Sequence, residues 1–144
     1  MFSKTCEYAI RAVIGVAEGS RDGQRVTVHS IATGTGMPEA FMAKILQRLS
    51  KAGLIDSVKG PGGGFEIAPQ DARALKLSSI VDAIDGDQVY RGCALGLPRC
   101  DMTNPCPLHD RFMAVREDLR IMLEGTTIAE LIDSGWDASR MRSA

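Results

Sequence analysis

The stretch Leu54-Ile55-Asp56-Ser57-Val58-Lys59-Gly60-Pro61-Gly62-Gly63-Gly64-Phe65-Glu66-Ile67 decides how the chain is read. Leu54 to Val58 is β-prone, and Phe65-Glu66-Ile67 alternates apolar and polar side chains. Two such runs across a glycine-rich turn predict a short hairpin. A phosphate-cradling loop is the rival reading of the glycines. It fails because no Gly-Lys-Ser/Thr follows and no helix starts there. The glycines are expected instead to let backbone come close to a sugar-phosphate chain.

Immediately upstream, residues 39–52 read as an amphipathic helix. Phe41, Ile45, Leu46 and Leu49 lie on one face, Lys44, Gln47, Arg48 and Lys51 on the other, and Gly53 closes it. A short helix over 27–35 precedes it across Gly36 and Pro38, and a first helix spans 3–18 with Ile10, Val13, Ile14 and Ala17 in register. Helix pairs of this kind fit a plain three-helix bundle or a helix-turn-helix equally well. The hairpin placed directly after the second helix decides for a winged helix-turn-helix.

Downstream, Ser78 is expected to cap a helix bearing Ile80, Val81 and Ile84 that ends at Gly86. Residues 88–107 read as irregular. A long helix over 108–124 carries Leu108, Phe112, Val115, Leu119 and Met122 at spacings of four, three, four and three. That is the spacing of a two-stranded seam, read here as a dimerisation face in preference to packing on its own domain. Thr127-Ile128-Ala129-Glu130 is a capping box opening a last helix to 134, and the tail beyond Trp136 is expected to be loose. The fold class is mainly α with a small β-hairpin wing. Residues 1–86 form the DNA-binding domain, 87–107 a cysteine-bearing loop and 108–144 the dimerisation and C-terminal helices.

The 144 residues carry 17 Lys+Arg against 18 Asp+Glu, a net charge of -1, with 44% hydrophobic residues. That excludes a disordered chain and a generic polycation. No apolar run is long enough to span a membrane, and Met1-Phe2-Ser3-Lys4 opens without a signal core, so a cytoplasmic protein is expected. Between Ala40 and Phe65, however, Lys44, Arg48, Lys51 and Lys59 face Asp56 alone. This local excess is the expected footprint on double-stranded DNA. Phosphates would be held by Lys4, Lys44, Arg48, Lys51 and Lys59, and base edges read from Pro38, Glu39, Ala40, Phe41, Lys44 and Gln47. Ser57 and Gly60 would add wing contacts. With only His29 and His109 and no nucleophile–base constellation, no enzyme is expected.

Three of the four cysteines, Cys93, Cys100 and Cys106, fall within fourteen residues, with His109 just beyond. Clustered thiols in a chain without a secretory signal point to ligands or redox groups. Their gaps exceed those of zinc knuckles and suit something larger, such as an iron–sulfur cluster. Zinc, regulatory thiols and inert cysteines remain open on spacing alone. A fourth ligand would come from Glu7, Cys6 or His109.

Glu7-Tyr8-Ala9-Ile10-Arg11-Ala12, Ile45-Leu46-Gln47-Arg48-Leu49, Ala52-Gly53-Leu54-Ile55 and Ser57 through Phe65 resemble the opening helix, recognition helix and wing of the Rrf2 family of winged-helix transcription regulators. The resemblance covers the chain to about Ser134. It implies a cytoplasmic homodimer that regulates promoters from palindromic operators and senses redox, nitric oxide or iron status. It implies Cys93, Cys100 and Cys106 as ligands of a 2Fe–2S or 4Fe–4S cluster. Glu7 matches the position of the carboxylate ligand in NsrR-type members, and His109 that of the histidine ligand in IscR-type members. Other members carry no cluster, which keeps a thiol-based or partner-binding regulator as the alternative. Lys59 and Glu66 stand where the family often has basic residues with Arg in the wing, and Ala43 where IscR-type members have glutamate. The IscR-type operator code is therefore not carried over.

Overall fold

The computed structural model describes residues 2–98 and 101–135. Helix α1 (Lys4–Gly19) starts at Ser3, whose hydroxyl accepts the Cys6 amide. The Ser3 amide and hydroxyl also bind the Asp85 carboxylate, which ties the start of α1 to the end of α5 (Leu77–Asp85). Helix α2 (Val28–Thr35) is capped by the Thr27 hydroxyl and stopped by Gly36 at φ +74°. A left-handed residue there turns the chain into α3 (Glu39–Lys51) without the steric cost a Cβ would bring.

The core forms where α3 crosses α1. Met42, Ile45, Leu46 and Leu49 pack against Ala9, Ala12, Val13 and Val16. Alanines and valines on α1 keep its surface low, so the larger α3 side chains seat deeply. Each aliphatic side chain fully buried here contributes about 1.5–3 kcal/mol. The periodicity had put Phe41 on the buried face. The structure instead buries Met42 completely and leaves Phe41 40% exposed. A one-residue rotation about the helix axis is 100°, so apolar neighbours at 41 and 42 compete for the same stripe.

The hairpin pairs β1 (Asp56–Val58) with β2 (Gly64–Glu66) antiparallel, Ser57 opposite Phe65. Val26 adds a third rung: its amide and carbonyl both bond Phe65, at 2.8 Å each. This changes the meaning of the glycines. A Cβ on Gly63 would lie 2.3 Å from the Val58 carbonyl oxygen, and one on Gly64 would lie 2.7 Å from that of Val26. Those two serve close approach within the protein, not to a nucleic acid. Gly60 and Gly62, at φ +89° and +74°, are exposed turn residues with open space beside them.

Three elements depart from the sequence reading. Helix α4 (Pro69–Ala74) was not foreseen; at six residues it buries only Ala72 and is too short to set up a period. Ser78 does not cap α5. The N-cap is Lys76, and the start of the helix is fixed by backbone pairing of Leu75 and Leu77 with Thr126 and Ile128. Within the stretch expected to be irregular, α6 (Gln88–Arg91) makes one turn. The long helix is α7 (His109–Gly125), and the capping box of α8 (Ile128–Asp133) is present as expected. Ile128 and Ile132 of α8 join the main core, while Leu123 of α7 buries with Cys6 and Val81. The segment beyond Trp136 lies outside the described residues.

The exchange of roles at 41 and 42 is measurable by urea unfolding. Met42→Ala should cost about 2–5 kcal/mol, whereas Phe41→Ala should cost about 1 kcal/mol or less. Equal losses would contradict the assignment of the buried stripe.

Candidate functional site

The outer face of α3 carries Glu39, Ala40, Phe41, Lys44, Gln47 and Lys51, all exposed, with exposed Pro38 leading in. Exposed Ser57, Lys59 and Gly60 sit at the wing. Glu39 is paired with His29 of α2, so the first turn of α3 is clamped to its partner helix. Lys4 is paired with Glu7 one turn on, at 3.2 Å. Arg48 is exposed and already bonded within the fold. Its guanidinium donates to the carbonyls of Ile84 (3.1 Å) and Ala83 (3.5 Å), at the negative end of α5, where a cation is favoured.

Arg25 escaped the sequence reading. Its guanidinium lies 3.5 Å from the Glu66 carboxylate and donates to the Gly62 carbonyl at 3.3 Å. Glu66 had looked like a loss of basic charge from the wing; Arg25, on the neighbouring rung, neutralises it. The signal was the charge of Arg25 beside Val26, but it becomes legible only once Val26 is known to pair with Phe65.

The cysteine loop is suspended from α7. Arg116 is buried and donates to the carbonyls of Tyr90 and Gly92, both at 3.0 Å, while its guanidinium lies over the Phe112 ring. These contacts fix the chain as it enters Cys93. The Sγ atoms of Cys93 and Cys106 are 3.9 Å apart. Two thiolates on one tetrahedral metal at about 2.3 Å lie about 3.8 Å apart, so the pair fits a shared metal. The amides of Leu95 and Leu97 point at the Cys93 sulfur and hold its thiol below the usual range, helped by Cys106 and by the Arg116 charge. Cys100 lies outside the described residues. His109 starts α7, 6% exposed, with its amide on the Cys106 carbonyl. The structure thus brings the Cys93 and Cys106 thiols together and joins His109 to them only through its main-chain amide; among the described residues no three His, Cys, Asp or Glu side chains are grouped to hold a metal, and Glu7 stands on α1, paired to Lys4.

Cys6 is a different kind of thiol. It has no exposure, and burial together with the Asp85 carboxylate pushes its pKa up to about 12. On α7, Leu119 packs beside Cys6 and Leu123, and Phe112 is half-buried under Arg116. Leu108, Val115 and Met122, spaced by sevens, remain 41%, 52% and 51% exposed. Among the described residues, no helix is long and apolar enough to cross a membrane.

A mainly helical chain with a two-stranded wing behind an exposed second helix defines a winged helix-turn-helix DNA-binding protein. Residues 2–134 match the Rrf2 family, described as an iron-dependent transcriptional regulator, and the chain belongs to that family. A chain from Aquifex aeolicus is 33% identical over 92% of both chains. The HTH-type transcriptional regulator IscR of Yersinia pseudotuberculosis is 32% identical over 88% of this chain and 76% of its own. Among solved structures, CymR, the global cysteine regulator of B. subtilis, superimposes with a TM-score of 0.75 at 19% identity, covering 95% of this chain and 98% of its own. IscR of T. potens gives 0.72 at 21%, covering 100% and 93%. At these identities the two structures establish the fold. The protein is a transcriptional regulator and not an enzyme.

The two kinds of thiol should separate in alkylation. With iodoacetamide, Cys93 should react with a pH midpoint below that of an ordinary thiol, because the thiolate persists above its lowered pKa. Cys6 should stay unmodified until the protein unfolds. Mass spectrometry of the peptides checks both, and early labelling of Cys6 would refute the burial argument.

Proposed function

We propose that the protein is a homodimer that binds a palindromic operator and carries an iron–sulfur cluster on Cys93, Cys100 and Cys106, with Glu7 or His109 completing the ligand set. The observation that carries this reading is the 3.9 Å approach of two thiols on a loop anchored by Arg116. When bound, a 2Fe–2S or 4Fe–4S group would supply a centre that reacts with oxygen or nitric oxide or reports iron supply.

The chain's own residues divide the work. Lys44, Lys51 and Lys59 hold phosphates, with Arg25 supporting the wing, and Pro38 through Phe41 with Gln47 meet base edges. Arg48, anchored on α5, acts on DNA only by fixing the pose of α3. Leu108, Val115 and Met122 meet their copies across a two-fold axis, flanked by Phe112 and Leu119. On this division, 1–86 reads DNA, 87–107 senses and 108–144 joins the subunits, in the cytoplasm. Ordering the 87–107 loop sets the direction in which the chain leaves α6, and Arg116 passes that direction to α7. The spacing of two α3 helices on DNA changes with it.

A second reading is supported by the same pair. Cys93 and Cys106 need to close by only about 2 Å to form a disulfide, so a cluster-free thiol regulator uses the identical mount.

Anaerobic reconstitution with visible spectroscopy and metal analysis distinguishes these. Iron with sulfur-to-iron absorption, lost in Cys93→Ser, supports the cluster; iron and absorption near zero in the wild type would overturn it, and zinc instead of iron would redirect it. On DNA, Lys59→Ala should weaken all sequences alike and lower the salt slope by about one. An unchanged slope would remove Lys59 from the phosphate contacts.

A further inference from the structure

A cavity of about 360 Å³ opens between α1 and α2, apart from both the cysteine loop and the exposed face of α3. Arg11 and Glu18 of α1 and Ile31 and Gly34 of α2 are among its walls. Its size and mixed lining are those of a small-molecule site.

Three features are left over from the packing described above. One carboxylate oxygen of Glu18, Oε2, is buried and lacks any hydrogen-bond partner among the described residues. It stands in the last turn of α1, where the helix end is already negative and no basic residue compensates. A buried carboxylate oxygen without a partner at that helix end is a place where an ammonium donor fits. Gly34 lies within α2 with an ordinary helical φ, and a Cβ there would meet nothing within 4 Å. Alanine is the better helix former, so the fold itself gains nothing from glycine here. Gly15 and Gly19 differ: their Cβ atoms would come within 2.9 and 2.5 Å of Ile31 and Val26. A side chain at Gly34 would project into open space at the cavity wall. Finally, Arg11 lies over the Tyr8 ring and has no carboxylate partner among the described residues. It precedes Glu18 by seven residues, on the same face and about 10 Å along the axis.

We propose that this cavity binds a small zwitterion, its ammonium on Glu18 and its carboxylate on Arg11, with a methylene chain passing Gly34. A cation alone would satisfy Glu18 but leave the Arg11 end unused. Arg11 leans toward Tyr8, one turn N-terminal, and a helical Glu18 side chain leans the same way, so the separation stays near the axial value and the longer methylene chains are the ones that span it.

The test titrates the intact protein with β-alanine, γ-aminobutyrate, δ-aminovalerate and ε-aminocaproate, and with pentylamine and valerate as the separate halves. Melting midpoints and amide chemical shifts of Gly15 and Gly34 are recorded. At ten times its dissociation constant, the best-fitting amino acid should raise the midpoint by about 4 °C. Each half should bind at least tenfold more weakly. Glu18→Gln should lose the shift, and Gly34→Ala should lose it while raising the ligand-free midpoint, which separates a filled cavity from a damaged fold. No shift with any of the four, or a shift retained in both variants, overturns the proposal. The readout involves neither DNA nor metal, so it stands or falls independently of the cluster.

Discussion

The row Met42, Ile45, Leu46 and Leu49 seated on the small side chains of α1 is the contact from which the rest of the structure follows. It fixes the rotation of α3 about its own axis. Once that rotation is set, Lys44, Gln47 and Lys51 face outward, and Arg48 lies at the border, where it reaches the carbonyls of α5. Low side chains on α1 make the seat deep, and a deep seat resists a one-residue roll. A roll would bury Phe41 and bring Met42 to the surface, changing every side chain offered to a groove.

The second organising interaction is Arg116. A buried guanidinium needs acceptors, and here they are main-chain carbonyls just before Cys93. The helix bearing the exposed Leu108, Val115 and Met122 stripe is thereby bonded to the segment leading into the thiols. The Cys93 thiol and the exposed stripe share one mount, and Cys93 lines the same cavity as Phe112, Val115 and Leu119.

Much of this was legible in the sequence, for local reasons. The wing, α3 and the Thr127–Glu130 capping box announce themselves within a few residues, through turn chemistry, periodicity and caps. What escaped depends on distant partners. Helix α4 is too short to carry a period, and the start of α5 is set by backbone pairing with residues near 127, not by Ser78. The bond of Arg48 to the end of α5 is invisible without α5, and Arg25 matters only through the Val26–Phe65 rung. For the thiols, spacing grouped Cys93 with Cys106, but their approach and the lowered pKa of Cys93 arise from loop geometry and amide direction.

The Val26 rung bears on recognition in another way. It joins the connection between α1 and α2 to the strand that follows α3, so the two helices of the reading head are tied at both ends. Flexible reading heads lose conformational entropy when they settle on DNA, and the loss subtracts from affinity. Here the ordering of helix pair and wing is completed during folding. Each cation on the reading head then loses less to ordering on contact with DNA, which matters in a chain whose net charge is close to zero.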